Sequence, residues 1–351
     1  MTNIVQDAAP QILDIIKASK NILLHCHPSP DPDSVGSALA MKFALESLGK
    51  KVTVIAGDSA MPEAFMHFPG AKDIVTKNIF EVDFTGTSGS EPFDLFISQD
   101  AGSLDMISRK KILVLDEILP ASVKTIVIDH HITNTKYAKD YNLVDATYPA
   151  TAQILYDLFN LWGIQITPEI AANLFIGIFT DTGGLRFSLV TSETYAAEAA
   201  LVKIYPDFSL LISRMENTKR PQALAFQGLA FSRIETFLLP NGDHLAISSV
   251  PYSEILSRGF VTEDIMASLV AGVMRGVIGY DVAICIVERE PNLVKGSMRK
   301  RDEKAYDLST IAAKLGGGGH KAAAGVIIPG TIEDAKKKII EGFTEYVKMS
   351  Q

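Results

Sequence analysis

The chain has two cysteines in 351 residues, Cys26 and Cys285, and a single tryptophan, Trp162. Two thiols exclude a disulfide framework and a four-thiolate metal site, so they read as small buried apolar residues in a reducing cytosol. A long apolar run is also missing. The most apolar stretch, Ala267–Val287, is interrupted by Arg275, Asp281 and three glycines. A bilayer span wants about 20 mostly apolar residues, so this stretch reads as a buried helix followed by a buried strand. Met1–Pro10 holds no basic region followed by an apolar run, and no secretory signal is expected. Net positive charge is absent too: the formal charge is −8, whereas proteins that grip long nucleic acid carry basic surfaces. Trp162 and the other aromatics do not alternate with a basic stripe, which argues against a long single-strand platform. These absences leave a soluble cytoplasmic protein acting on small substrates.

What is present fits a globular protein, with 47% hydrophobic and 21% charged residues. Ile22–His25, Lys51–Ala56, Leu95–Ser98 and Thr125–Ile128 are short apolar runs, the mark of strands covered on both faces. Ser34–Leu48 reads as an amphipathic helix ending at Gly49, and Ala150–Trp162 and Pro168–Phe179 as two more. Strands alternating with helices imply right-handed crossovers and a mostly parallel sheet. A more polar helical stretch, 191–221, reads as a linker closed by Thr218-Lys219-Arg220-Pro221. Beyond it, Leu245–Val250, Val282–Val287 and Leu293–Met298 read as strands, with helices at Glu263–Met274 and near Ile332–Val347. The expected architecture is α/β in two domains, 1–190 and 222–351.

Four short blocks carry chemistry. His27-Pro28-Ser29-Pro30-Asp31-Pro32-Asp33 follows the first strand as a rigid loop, with Asp33 or Ser34 able to cap the next helix. Asp100 follows another apolar strand, Asp129-His130-His131 closes a third, and Asp181 ends an apolar helix before Gly183-Gly184. Each acid alone reads equally as a turn or cap residue. Two adjacent imidazoles after a buried strand have no such structural use. Together the blocks place imidazoles and carboxylates mostly at the carboxyl ends of strands, where open α/β sheets bind ligands. That mixed donor set suits Mn²⁺, Fe²⁺ or Zn²⁺, and an all-oxygen set would suit Mg²⁺. Cations would also explain why so many mutually repelling acids gather. In the second half, the Gly316–Gly319 run reads as a flexible linker or as backbone N–H groups converging on an anion beside His320 and Lys321. Lys295–Arg301 alone reads as a solvated basic turn. His67 and His244 lie outside these blocks and read as structural or exposed.

In block order and spacing, over nearly its whole length, the sequence resembles the DHH phosphoesterase family, in the branch with a DHH-associated C-terminal domain marked by Gly316–His320. The resemblance implies two divalent ions, Mn²⁺ foremost with Mg²⁺ or Co²⁺ as alternatives. One ion would be held by His27, Asp31 and Asp100, the other by Asp33, Asp100, His130 and Asp181, with Asp100 bridging. It implies that His131 faces the scissile phosphate and that Asp129 orients the site. Arg299, Arg301, Gly317, Gly318, Gly319 and His320 would hold substrate, with the active site in a cleft between the domains. Ser29 departs from the pattern, since many relatives carry Asn or Arg there. The compact length resembles the oligoribonuclease and 3′-phosphoadenosine-5′-phosphate phosphatase branch, hydrolysing its substrates with water activated by two metals. A cyclic-dinucleotide phosphodiesterase is the neighbouring alternative, and a catalytically inactive nucleotide sensor the alternative of another class. The expected partners are short RNA or small nucleotides and, optionally, a second copy of the chain, but no long duplex nucleic acid and no membrane.

Overall fold

The computed structural model of the protein describes residues 1–28, 30–57, 61–112, 114–301 and 304–350. It divides into two units, Met1–Thr218 and Lys219–Gln351. The first opens with helix α1 (Asn3–Ala18), then β1 (Asn21–Cys26), α2 (Pro32–Ser47), β2 (Lys51–Ala56), β3 (Leu95–Gln99), β4 (Lys124–Asp129), β5 (Tyr141–Val144) and the helices α3 (Thr151–Leu161), α4 (Pro168–Asp181), α5 (Ser192–Ile204) and α6 (Phe208–Glu216). The sheet runs β2-β1-β3-β4-β5 and every neighbouring pair is parallel. The strands are apolar on both faces because both are covered. Ile22, Leu24, Leu95 and Ile97 pack with the helices, while Leu23, Phe96 and Ile55 pack against Ile79, Ile107 and Leu115 of the intervening loops.

This strand order has a switch point between β1 and β3, where the chain leaves to opposite sides and opens a crevice at the carboxyl ends. The residues after β1, β3 and β4 all emerge there. Helix α2 departs from the amphipathic expectation. From Asp33 to Leu45 it is buried on almost every face, because it is packed between the sheet and α4. The stretch expected to be a linker from 191 folds instead, through residue 218, as part of the first unit. Leu201 of α5 and Leu211 of α6 belong to its core.

The second unit holds α7 (Pro221–Ser232), β6 (Ile234–Leu238), β7 (His244–Val250), α8 (Tyr252–Ser257), α9 (Ala267–Met274), β8 (Val282–Glu290), β9 (Leu293–Lys300), α10 (Leu308–Lys314), β10 (Gly318–Gly319), β11 (Ala323–Pro329) and α11 (Ile332–Ser350). Its sheet, β10-β11-β9-β8-β7-β6, is mixed, with β7 and β8 parallel and the other pairs antiparallel. The helix expected from Glu263 starts at Ala267, because Thr262–Asp264 is a separate 3₁₀ turn. Alternate strand residues feed two cores: Ile247 and Ile284 meet Ile339 and Phe343 of α11, and Ala246 and Cys285 meet Phe226 and Val270. Both cysteines are free and buried, and burial pushes each thiol up to about 12. Among the described residues, no helix is long and apolar enough to cross a membrane.

Candidate metal centre

Each site residue of the first unit is placed by the end of a regular element. His27 follows β1 directly, and its N–H donates to Ser34 Oγ (3.2 Å). The cap of α2 is neither Asp33 nor Ser34 but Asp31, whose carboxylate accepts from Ser34 N (2.9 Å) with Pro32 at the first helical position. Asp31 Oδ2 lies 3.5 Å from His27 Nε2. Asp33, freed from capping, points at the start of α3. Its carboxylate accepts from Thr151 N (2.7 Å), Ala152 N (2.9 Å) and Ser37 Oγ (3.2 Å), where the helix dipole favours negative charge. Burial, with Asp31 next, still pushes Asp33 up to about 7. Ser29 lies outside the described residues.

Asp100 follows β3 with φ +55°, a left-handed conformation that a non-glycine residue adopts only when its surroundings hold it. Here its N–H is bonded to Ile128 O (3.1 Å), and its Oδ1 accepts from Thr151 Oγ1 (3.1 Å). Burial, reinforced by Asp33, Asp31, Asp181 and Asp129, holds its carboxyl well above the usual range. Asp129 closes β4 fully buried. It accepts from His130 N (2.9 Å) and Asn134 Nδ2 (2.6 Å) and meets His131 Nδ1 at 2.7 Å. Burial would raise Asp129, but the His131 and Asn134 hydrogen bonds win and hold it below the usual range. Burial likewise opposes a charge on His131, and the bond to Asp129 overcomes it, raising the imidazole.

His130 supplies the test of fit for a cation. Its Nδ1 faces the carbonyl of Tyr148 (3.3 Å), which requires the proton on Nδ1. The lone pair of Nε2 then faces Asp181 Oδ2 at 3.2 Å and Asp100 Oδ1 at 3.5 Å. Three donor atoms this close need a proton or a cation between them, and a divalent cation meets that need with His130, Asp100 and Asp181 all as ligands. Asp181, the last residue of α4, is itself pushed well above the usual range by burial, then by Asp33 and Asp31. Donor atoms fall into three groups, each within 4.8 Å: His27, Asp31 and Asp100; Asp33, His130 and Asp181; Asp100, His130 and His131. Asp100 and His130 each belong to two groups. Divalent cations fit this donor set.

Several supports carried no sequence signal. Asn134 and Thr151 are ordinary polar residues by type, and Gly177 matters only through what lies beside it. A Cβ at 177 would come within 2.8 Å of Asp33 Oδ1. His67 is exposed, and His244 lies beside Asp281 (3.8 Å); neither joins the cluster.

The expected substrate residues lie in the second unit. Arg299 on β9 donates to Ser268 Oγ (2.6 Å) and Met298 O (2.8 Å), and Arg301 Nη1 reaches Val277 O (3.5 Å). The glycine run differs from a loop of converging N–H groups. Gly316 and Gly317 donate to Ala313 O and Ala312 O, and His320 N donates to Ala323 O. Gly318 and Gly319 form β10, pairing with Gly325 and Ala324. The run is glycine because its backbone lies against β11: a Cβ at 317 would come within 2.0 Å of Gly325 O.

Comparison with known proteins places this geometry. Residues 21–178 match the family model described as DHH family, N-terminal domain, and residues 246–349 match the DHHA1 domain. The bifunctional oligoribonuclease and PAP phosphatase NrnA of Thermus thermophilus is 28% identical over 339 residues, covering 95% of this chain and 93% of that protein. Its namesake in Bacillus subtilis is 25% identical over 321 residues, 91% of this chain and 92% of that one. In fold, the chain is similar to the crystal structure of an exopolyphosphatase-related protein from Bacteroides fragilis, with TM-score 0.82, 23% identity and coverage of 98% and 97%.

Proposed function

The chain belongs to the DHH family and carries its DHHA1 domain, and from that membership we propose that it hydrolyses short oligoribonucleotides, dinucleotides and 3′-phosphoadenosine-5′-phosphate to mononucleotides. It is a phosphoesterase, and divalent metal is required. The observation that carries the reading is the sharing of Asp100 and His130, both buried, between groups of carboxylate and imidazole donors crowded within 4.8 Å of one another. His27, Asp31 and Asp100 would hold one ion, and Asp33, Asp100, His130 and Asp181 would hold the other. The mixture of imidazole and carboxylate suits Mn²⁺, Fe²⁺ or Zn²⁺, and of these the family resemblance puts Mn²⁺ first.

When bound, two such ions supply Lewis acidity, acidifying water and neutralising charge on the phosphate. The protein's own groups do the rest. Asp129 holds Nδ1 of His131, which fixes the ring and leaves Nε2 to face a phosphate or leaving oxygen. Asn134 holds the second oxygen of Asp129 and fixes that pair. Arg299, braced by Ser268, acts with Arg301 and His320 to bind substrate phosphate, while the Gly317–Gly319 backbone is engaged within its own unit. Support for the substrate class comes from the two relatives, which this chain matches over nearly their whole length. The protein works in the cytoplasm, where its two buried thiols stay reduced.

The test is turnover by the purified, Mn²⁺-loaded protein of 3′-phosphoadenosine-5′-phosphate, a linear diadenylate, cyclic dinucleotides and a labelled RNA five-mer. Mononucleotide or phosphate release from the first two and the five-mer, abolished by chelation, is the expected result. Hydrolysis of the cyclic dinucleotides alone would overturn the substrate assignment.

A further inference from the structure

We propose that the loop Thr182–Val190 is a nucleoside-phosphate subsite, in which the Phe187 ring stacks on a base and the Arg186 guanidinium takes a phosphate other than the scissile one. The proposal rests on the phosphoesterase reading and adds to it where the substrate's non-reacting part binds.

The loop begins directly after Asp181, so it starts at the edge of the candidate metal centre. It is tightly built. Arg186 N and Phe187 N both donate to Thr182 O (2.9 and 3.1 Å), Leu185 N donates to Thr182 Oγ1 (2.9 Å), and Gly184 N donates to Phe179 O (2.7 Å). The Tyr195 hydroxyl on α5 donates to Leu185 O (3.2 Å). These bonds hold Leu185 at φ +63°, a left-handed conformation costly for a branched residue. Despite this bracing, the loop displays its apolar groups: Phe187 is 44% exposed and Leu189 43%. The ring is also folded back onto the start of the loop. Gly183, at φ +60°, has no side chain, and a Cβ there would come within 2.5 Å of the Phe187 ring. The ring therefore lies against the residue two positions beyond Asp181.

Arg186 gives the patch its second chemistry. Its Nε donates to Gly183 O (2.5 Å), which fixes the plane of the guanidinium. Among the described residues its hydrogen-bond partner is that carbonyl and not a carboxylate, although acids outnumber bases in the chain. A partly exposed aromatic ring and a neighbouring cation, both held against Gly183, complement a base and a phosphate of one nucleotide. Stacking tolerates any base, since every base has a π-face, which suits an enzyme that degrades short RNA of any sequence.

The test is steady-state hydrolysis of a 5′-phosphorylated dinucleotide containing 2-aminopurine, by the full chain with Mn²⁺. Wild type is compared with Phe187→Leu, Phe187→Tyr and Arg186→Gln, each checked for an unchanged melting curve. Losing the stack raises KM about tenfold in Phe187→Leu, with a much smaller change in kcat, and Phe187→Tyr restores it. Arg186→Gln raises KM for the 5′-phosphorylated dinucleotide and not for its 5′-hydroxyl counterpart. Turnover by wild type with an unchanged KM in Phe187→Leu, or a Phe187→Tyr variant as impaired as Phe187→Leu, would overturn the subsite. If wild type turns over nothing, the phosphoesterase reading fails. Quenching of 2-aminopurine on binding then decides the subsite separately: present in wild type and lost in Phe187→Leu supports it, absent in wild type overturns it.

Discussion

At the scale of the residue, the candidate site separates side chains that hold ions from those that hold the holders. Asp129 is of the second kind: fully buried, it spends both oxygens on His130 N, His131 and Asn134. Asp129→Asn replaces one acceptor oxygen by a donor and loosens His131. The expected result is a kcat lower by about 10- to 100-fold with metal content retained; kcat within twofold of wild type would contradict the assigned role. The candidate donors were legible only as four blocks taken together, because each Asp after a strand also reads as a turn or cap residue and only the paired imidazoles lack such a use. Asn134 and Thr151 were not legible, since their importance lies in a partner that only folding brings near. Glu198 on α5 makes a different prediction. It is 4% exposed, neither carboxylate oxygen has a hydrogen-bond partner, and burial pushes it from 4.5 up to about 9. The unfolded chain releases this proton near 4.5 and the folded one only near 9, so its linkage costs stability progressively as pH rises through that window. Thermal melts from pH 5 to 9 are expected to show a smaller loss for Glu198→Gln than for wild type. Equal slopes would show that Glu198 ionises freely in the fold.

At the scale of the element, the crossing of α2 and α4 decides whether the donors meet. The helices approach closely because Gly36 and Gly177 lack side chains: a Cβ at 36 would come within 2.4 Å of Asn173 O, and one at 177 within 2.8 Å of Ala152 Cβ and of Asp33 Oδ1. Gly177→Ala should therefore strike both packing and site. The expected cost is about 1–3 kcal/mol of stability, together with weaker metal binding by calorimetric titration; unchanged metal affinity would separate the crossing from the site. Neither glycine is distinguishable in the sequence from any other helical small residue. Periodicity misled for α2, which is buried all round and so has no polar face to read. It was silent for α1, where Pro10 sits inside a helix whose Val5, Ile12 and Ile16 are buried. The glycine run was legible as special but not as β10, because a two-residue strand leaves no alternating pattern. By contrast, β1 through β4 were readable, since sheets covered on both faces leave continuous apolar runs.

At the scale of the whole molecule, the acids of the candidate centre are a standing electrostatic cost that cations relieve. Metal that binds the folded first unit and not the unfolded chain must stabilise it, by about 2.7 kcal/mol when free ion stands at a hundred times its dissociation constant. Calorimetric scans with and without chelator should show that shift, and an unmoved transition would mean that the cluster tolerates its own repulsion. The two-unit plan and a junction at 218–221 were readable from composition and pattern, but the membership of the stretch before it in the first unit was not, because α5 and α6 are more polar than the core they join. The measurement that goes most directly to the central claim counts metal and turnover on the same samples. Wild type and Asp100→Ala are loaded with Mn²⁺, freed of unbound ion, and assayed for ions per chain and for mononucleotide release from a linear diadenylate. Wild type should carry two ions and turn over, while the variant should carry at most one and fall by about 1000-fold, the several kcal/mol that bound metal supplies. A variant that keeps its activity, or a wild type that hydrolyses equally well after chelation, would contradict the shared role of Asp100.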